Sequence, residues 1–222
     1  MLKWINKEIL AEFLGTFILI FTGCGAIIVS SISKGAIGVF DICFTFGATV
    51  TGLIYTLGPI SGAHINPAVT LALYTGGFFP KKKVFGYIIA QNLGAIAACI
   101  ILRLTLGNNA HLGATFPLQD NWIQAFILEV FITFILMFVI LGIAVYPNQN
   151  NNLAGIVIGM TVTLLAVFMG PITGASMNPA RSFAPALISN FWPHQWIYII
   201  APILGAQMAV FIYQLFAANS EK

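Results

Sequence analysis

Charge is what this sequence has least of. Only 7% of its 222 residues are Asp, Glu, Lys or Arg, where a soluble domain carries about 25%. A chain so poor in charge, and 59% hydrophobic, belongs in a membrane. The net charge of +3 comes from a few loop lysines, which argues against nucleic acid as a partner. Cysteine is scarce too. Cys24, Cys43 and Cys99 sit in apolar runs without metal-ligand spacing, and read as small buried hydrophobes rather than disulfide partners. No HExxH, Ser/His/Asp set or paired carboxylates occur at workable spacing, so the chain does not read as an enzyme, and neither metal nor cofactor is expected. A leader cleavage site is missing as well. The apolar run after Lys3 and Lys7 carries Glu12 and lacks a small-residue cleavage signal, so it reads as a retained span.

Long apolar runs are what the sequence has instead. Six of them, approximately 9–31, 36–58, 84–106, 121–145, 153–170 and 195–218, suffice to cross hydrocarbon about 30 Å thick. Lys3, Lys7, Lys81, Lys82 and Lys83 fall on one side if both termini are cytoplasmic. The other side then keeps Lys34 and a snorkelling Arg103, and the 107–120 loop has neither Lys nor Arg, which fixes the orientation. The Lys81–Lys83 run also suits contact with anionic lipid.

Two polar, helix-breaking phrases interrupt this oily chain. GPISGAHINPAVT at 58–70 returns as GPITGASMNPARS at 170–182, with eight of thirteen positions identical and two more exchanging Ser with Thr. Glu12-x-x-x-Thr16-Phe17 returns as Glu129-x-x-x-Thr133-Phe134, and Ala90-x-x-x-Gly94-Ala95 as Ala201-x-x-x-Gly205-Ala206. Three echoes in order, at nearly constant offset, mark a duplication. The chain therefore reads as a single domain of two units, about 1–106 and 118–222. Each unit has three spans, an odd number, so the second runs the opposite way: an inverted repeat. Asn is a favoured N-cap and Pro a favoured first helical residue. Asn66-Pro67-Ala68 and Asn178-Pro179-Ala180 each predict a loop that dips in and starts a short helix. Nine residues of helix reach ~14 Å, about half the hydrocarbon, so two such helices entering from opposite faces meet at the midplane. The expected fold is all-α: six transmembrane helices plus two re-entrant half-helices.

The paired Asn-Pro-Ala triplets, the first within SGAHINPAVT and the second within NPARS, on a six-span repeat that includes Glu12, Gln91 and Glu129, resemble the aquaporin (major intrinsic protein) family. That resemblance implies a right-handed six-helix bundle with a pore in each subunit, a homotetramer, and passage of water, sometimes with glycerol or other small neutral solutes. It also implies an outer constriction around Arg181, whose partners here are Phe46, Ala166 and Ala175. Water-selective members usually have His at the position of Ala166; glycerol facilitators have Gly there and a bulky aromatic at the position of Ala175. Phe46/Ala166/Ala175/Arg181 fits neither set. Ser182, Ala186 and Tyr198 resemble water channels, whereas Ile199 is closer to the glycerol side.

The residues alone support the same mechanism. Two helix N-termini meeting at the centre present about half a positive charge each, and Asn66 and Asn178 offer amide donors. Backbone carbonyls around Gly62, Ala63 and His64, and around Gly174, Ala175 and Ser176, supply acceptors along one wall. Expected partners are water, small neutral solutes and the bilayer, in the plasma membrane. Alternatives are a glycerol facilitator with water as minor substrate, or an ion-coupled transporter. Glu12 and Glu129 are intramembrane carboxylates; their symmetric placement favours holding the dipping loops over carrying protons. His64 reads as a structural residue at the cytoplasmic mouth, Asp41 as solvated surface, and His111 and His194 as ordinary loop residues.

Overall fold

In the computed structural model of the chain, residues 6–145 and 151–218 are described; Lys3 lies outside the described residues. Among the described residues eight α-helices follow one another: α1 (Lys7–Ile32), α2 (Val39–Ser61), α3 (Pro67–Thr75), α4 (Lys81–Leu106), α5 (Trp122–Ile140), α6 (Ala154–Thr173), α7 (Pro179–Ser189) and α8 (Ile197–Ala218). No strand occurs among the described residues. Six of these described helices are long and apolar enough to cross a bilayer, α5 being extended by a π-helical turn over Leu141–Val145. The protein is a multi-pass membrane protein, and α3 and α7 are its two short helices.

Local chemistry sets the helix ends. The Asn6 side chain accepts from the Glu8 N–H at 3.0 Å to start α1. Asp41 reaches back to the Gly38 N–H at 2.8 Å to start α2. Asn66 and Asn178 cap α3 and α7, with Pro67 and Pro179 in the first turn, as the capping preferences predict. The ends of α2 and α6 correct the expected boundaries. Both run three residues further than the spans ending at 58 and 170, and so take in Pro59 and Pro171. A proline near a C-terminus removes one N–H without stopping the helix. The stop comes from Gly62 and Gly174, at φ 84° and 83°, a left-handed conformation that Gly adopts without Cβ strain.

The two halves repeat their packing as well as their order. α1 lies against α4 in the first half, and α5 against α8 in the second. A Cβ on Gly94 would overlap the Phe13 carbonyl, and one on Gly205 would overlap the Val130 carbonyl. At both places helix backbones touch, the close approach that small residues allow where no water drives association. α2 and α6 cross between the halves with Gly47 facing Gly159, and the Thr51 hydroxyl donates to the Gly155 carbonyl at 3.0 Å. Gly15 faces Leu57 and Ile65. These glycines serve contacts inside one chain. The outer surface is apolar: Leu104 is 80% exposed, Phe85 76% and Phe168 69%, a face suited to lipid tails.

Candidate functional site

The half-helix N-termini meet inside the bundle, and the meeting is held by reciprocal bonds. The Asn66 side-chain amide donates to the Met177 carbonyl at 2.8 Å, and that of Asn178 to the Ile65 carbonyl at 2.9 Å. Each side-chain oxygen meanwhile accepts from its own helix: Asn66 from the Ala68 N–H at 2.9 Å, Asn178 from the Ala180 N–H at 3.0 Å. An Asn amide has two N–H donors. One braces the opposite loop and the other remains for a ligand. Sequence reasoning supplied the cap and missed the brace, because nothing in a linear repeat shows that each loop is the other's acceptor.

A cavity of about 870 Å³ runs past this meeting point. One wall is loop backbone, from Gly62, Ala63, His64 and Ile65 and from Gly174, Ala175, Ser176 and Met177. The facing wall is aliphatic and aromatic, including Leu19, Phe46, Val50, Ile158 and Ala166. Asn66, Asn178 and Arg181 reach the same cavity. Ala68 and Ala180, expected with their motifs at the pore, pack into the core beside the capping asparagines. They and Pro67 and Pro179 form the buried first helical turns, while the capping asparagines reach the cavity.

The loops carry strain that buried carboxylates hold in place. Ala63 and Ile65 have φ of 48° and 44°, and Ala175 and Met177 of 42° and 53°. Each costs on the order of 1–3 kcal/mol in a non-glycine residue. Glu12 accepts from the His64 N–H at 3.0 Å, the Ile65 N–H at 2.7 Å, the Ser61 hydroxyl at 2.7 Å and the Gln91 amide at 2.7 Å. Glu129 accepts from the Ser176 N–H at 2.8 Å, the Met177 N–H at 3.0 Å and the Thr173 hydroxyl at 2.7 Å. Both carboxylates are wholly buried behind the loops. Ser61 and Thr173 link each glutamate to its loop. Each donates to its glutamate and accepts from the loop, Ser61 from the Ala63 N–H at 3.1 Å and Thr173 from the Ala175 N–H at 3.0 Å. The signal was the Ser/Thr exchange at matched positions of the repeat, which keeps a hydroxyl and nothing else.

His64 sits under the first loop, edge-on to Phe79 at 4.6 Å and against Tyr87 at 5.1 Å. Its Nδ1 is 3.1 Å from the Thr70 hydroxyl, which also takes the Gln91 amide at 2.9 Å and lies 3.0 Å from the Asn66 carbonyl. With the Thr70 proton on that carbonyl, Nδ1 carries its own proton and Nε2 is left as an acceptor. At the second loop Ser176 replaces the imidazole, and its hydroxyl is 2.6 Å from Ser182, which accepts from Thr115 at 2.7 Å.

Arg181 is buried to 4% exposure. Its Nη1 donates to the Gly113 carbonyl at 2.7 Å, and the guanidinium lies over the Phe46 ring, 5.0 Å from the centroid. Ala166 and Ala175 border the same cavity and add no polar side-chain group. Gly113 is a partner the sequence did not reveal, since a backbone carbonyl has no residue signature. His111, expected to be an ordinary loop residue, lines the cavity and stacks on Phe191. His194 pairs with Asp120 at 2.8 Å.

Residues 2–213 match the Major intrinsic protein family. The chain belongs to the major intrinsic protein family. It is 41% identical over 210 residues to "Aquaporin NIP1-1" of Zea mays, covering 94% of this chain and 74% of that one. It is 42% identical over 219 residues to the "Probable aquaporin NIP-type" of Nicotiana alata, covering 98% and 80%. The X-ray structure of the aquaglyceroporin from Plasmodium falciparum superposes with a TM-score of 0.83 at 27% identity, covering 93% of this chain and 94% of that one. Members of the major intrinsic protein family are channels rather than enzymes.

Proposed function

We propose that this chain is a passive channel for water that also passes small neutral solutes such as glycerol and urea, and that it excludes protons and ions. The observation that carries the reading is the pair of cross-braced asparagines, Asn66 and Asn178, at two abutting helix N-termini on the cavity wall. A water there accepts from both amides and sits in a positive potential. Its neighbours on either side then orient in opposite directions, which interrupts a proton wire. Among the described residues, no bond within the chain reaches the carbonyls of Gly62, Ala63, His64, Gly174, Ala175 or Ser176, which leaves them as acceptors along the path. A bare ion would lose its hydration to a wall that is mostly apolar, a cost of several kcal/mol at least.

Phe46, Ala166, Ala175 and Arg181 form the outer filter in this reading. Two alanines leave room beside the guanidinium and no second polar side chain to bind a lone water, which favours leakage of small solutes. Glu12 and Glu129 hold the loops: they lie behind them, and their oxygens already take several donors each. That argues against ion-coupled transport, which needs a titratable group in the path. The halves, about 1–106 and 118–222, run in opposite directions, with α3 entering from the cytoplasmic face and α7 from the outer face. Lys7 and Lys81–Lys83 support a reading in which both termini are cytoplasmic, and the family resemblance supports a homotetramer in the plasma membrane.

Stopped-flow measurement on proteoliposomes tests the reading. Fast water flux with a low activation energy, measurable glycerol and urea flux, and no dependence on Na⁺ or proton gradients are expected. Water flux no faster than in empty liposomes sinks the channel. Glycerol flux that outruns water points to a glycerol facilitator, and undetectable flux of every solute removes the leak.

A further inference from the structure

A turn of reversed hand stands at the outer mouth. Ala110, His111, Leu112 and Gly113 have φ of 46°, 48°, 55° and 75°. Single left-handed residues are common, whereas a run with three L side chains is disfavoured at every step. Such backbone persists only where its surroundings over-determine it. At the far end the turn is pinned by side chains: Thr115 donates to Ser182 at 2.7 Å, and Gln195 donates to the Thr115 carbonyl at 2.9 Å. At Gly113 itself, α1 closes in, and a Cβ would stand 3.1 Å from Ile27 and 3.3 Å from Cys24.

The near end is held by rings. His111 stacks on Phe191 with centroids 3.8 Å apart and planes within 7°. Phe116 stands edge-on to the same Phe191 ring at 5.5 Å. Phe191 lies just past the Asn190 cap of α7, and its N–H donates to the Ala186 carbonyl at 3.0 Å. α7 is also the helix that carries Arg181 in its first turn. A closed mechanical circuit results: Arg181 to the Gly113 carbonyl, along the turn to His111, across the stack to Phe191, and back along α7. The filter guanidinium therefore takes its position from a carbonyl whose own place depends on a ring stack at the opposite end of the same helix.

We propose that His111 and Phe191 are positioning residues for solute selection, their stack keeping the 110–113 turn closed so that the Gly113 carbonyl fixes Arg181. The inference rests on the reading of Arg181 as part of the filter. Neither ring touches the guanidinium. His111 is exposed and Phe191 half-buried, so truncating either leaves the bundle intact. A stacked pair biases a local equilibrium roughly two- to tenfold. With the stack gone, the guanidinium samples a wider set of positions and the bulkier solute gains more than water does.

The test compares glycerol and water permeability in proteoliposomes for His111→Ala, Phe191→Ala, the double variant and His111→Phe. The glycerol-to-water ratio should rise about threefold in either alanine variant. It should rise no further in the double variant, since one stack is lost only once, and it should stay at the wild-type value in His111→Phe, which restores a ring. Hydrogen exchange over residues 110–116 gives a second readout that does not depend on conduction: faster in the alanine variants, unchanged in His111→Phe. Unchanged exchange and an unchanged ratio in the alanine variants overturn the inference, as do additive effects in the double variant. Faster exchange in a wild-type protein background that conducts nothing would instead condemn the channel reading and leave the clamp standing.

Discussion

Replacing Thr173 by Val removes one hydroxyl and nearly nothing else, and the structure predicts a large effect. That hydroxyl donates to Glu129 at 2.7 Å and accepts from the Ala175 N–H at 3.0 Å. A hydrogen bond to a charged group contributes about 1.5–3 kcal/mol, and an orphaned buried N–H costs about 1–3 kcal/mol. Thr173 is wholly buried, so water cannot take over either role, and Thr173→Val should destabilise by about 3–5 kcal/mol. Thr173→Ser keeps both bonds and should cost under about 1.5 kcal/mol, the price of one buried methyl. The twin change, Ser61→Ala, should be milder than Thr173→Val. Gln91 still donates to Glu12 at 2.7 Å, whereas Pro202 occupies the matching place in the second half and offers no donor. Reversible unfolding in mixed micelles, followed by circular dichroism, gives the three values. A Thr173→Val protein within about 1 kcal/mol of wild type would refute the reasoning, because the strained second loop would then be held by something other than this hydroxyl and its glutamate.

Arg181→Val should raise glycerol and urea permeability by about tenfold or more while changing water flux less, because filter discrimination between small solutes is worth that order; light-scattering traces on reconstituted vesicles check it. Asn178→Asp keeps the helix cap but sets a carboxylate oxygen against the Ile65 carbonyl that now receives the amide at 2.9 Å. It should cost about 1–3 kcal/mol of stability and introduce a cation leak, measurable with a pH-sensitive dye under a potassium gradient. Gly205→Ala should destabilise by about 1–3 kcal/mol or more, since its Cβ meets the Val130 carbonyl on α5, whereas Gly52→Ala, with open space around its Cβ, should be neutral in the same unfolding assay.

Much of the fold was legible because a membrane leaves the chain few options. Apolar runs of the right length can only be spanning helices, and Asn-Pro at the head of a nine-residue apolar segment can hardly be anything but a capped helix start. Span ends were less legible. Pro59 and Pro171 invite a break, yet the left-handed Gly62 and Gly174 decide where α2 and α6 stop. At the site, the side chains that carry a motif were visible and those that answer them were not. Asn66, Asn178 and Arg181 could be named from sequence. Their partners are the carbonyls of Met177, Ile65 and Gly113, and a carbonyl belongs to every residue alike. His111 was passed over for a related reason: its role depends on Phe191, eighty positions away, and no periodicity links two loop residues.

The two halves of the molecule are copies in backbone and not in fastening. Both loops put alternating left-handed residues over a buried glutamate, and both use a hydroxyl three residues before the pore-lining position to join glutamate to loop. The first half adds Gln91, which bonds Glu12 and Thr70 together, and a His64 packed between Phe79 and Tyr87. The second half has Pro202 and Ser176 at the matching places. It gains instead a chain of hydroxyls, Ser176 to Ser182 to Thr115, that leads out to the 110–116 turn. The first loop is thus tied inward, to the helix bundle. The second is tied outward, to the turn that also holds Arg181. The first loop is anchored within the bundle and the second is coupled to the 110–116 turn, so on the proposed reading the filter around Arg181 can be altered from that turn without disturbing the first loop. Substitutions at Gln91 should accordingly lower stability with little change in the glycerol-to-water ratio, and substitutions at Thr115 should move the ratio as well; the reverse pattern would show that the two loops are fastened alike.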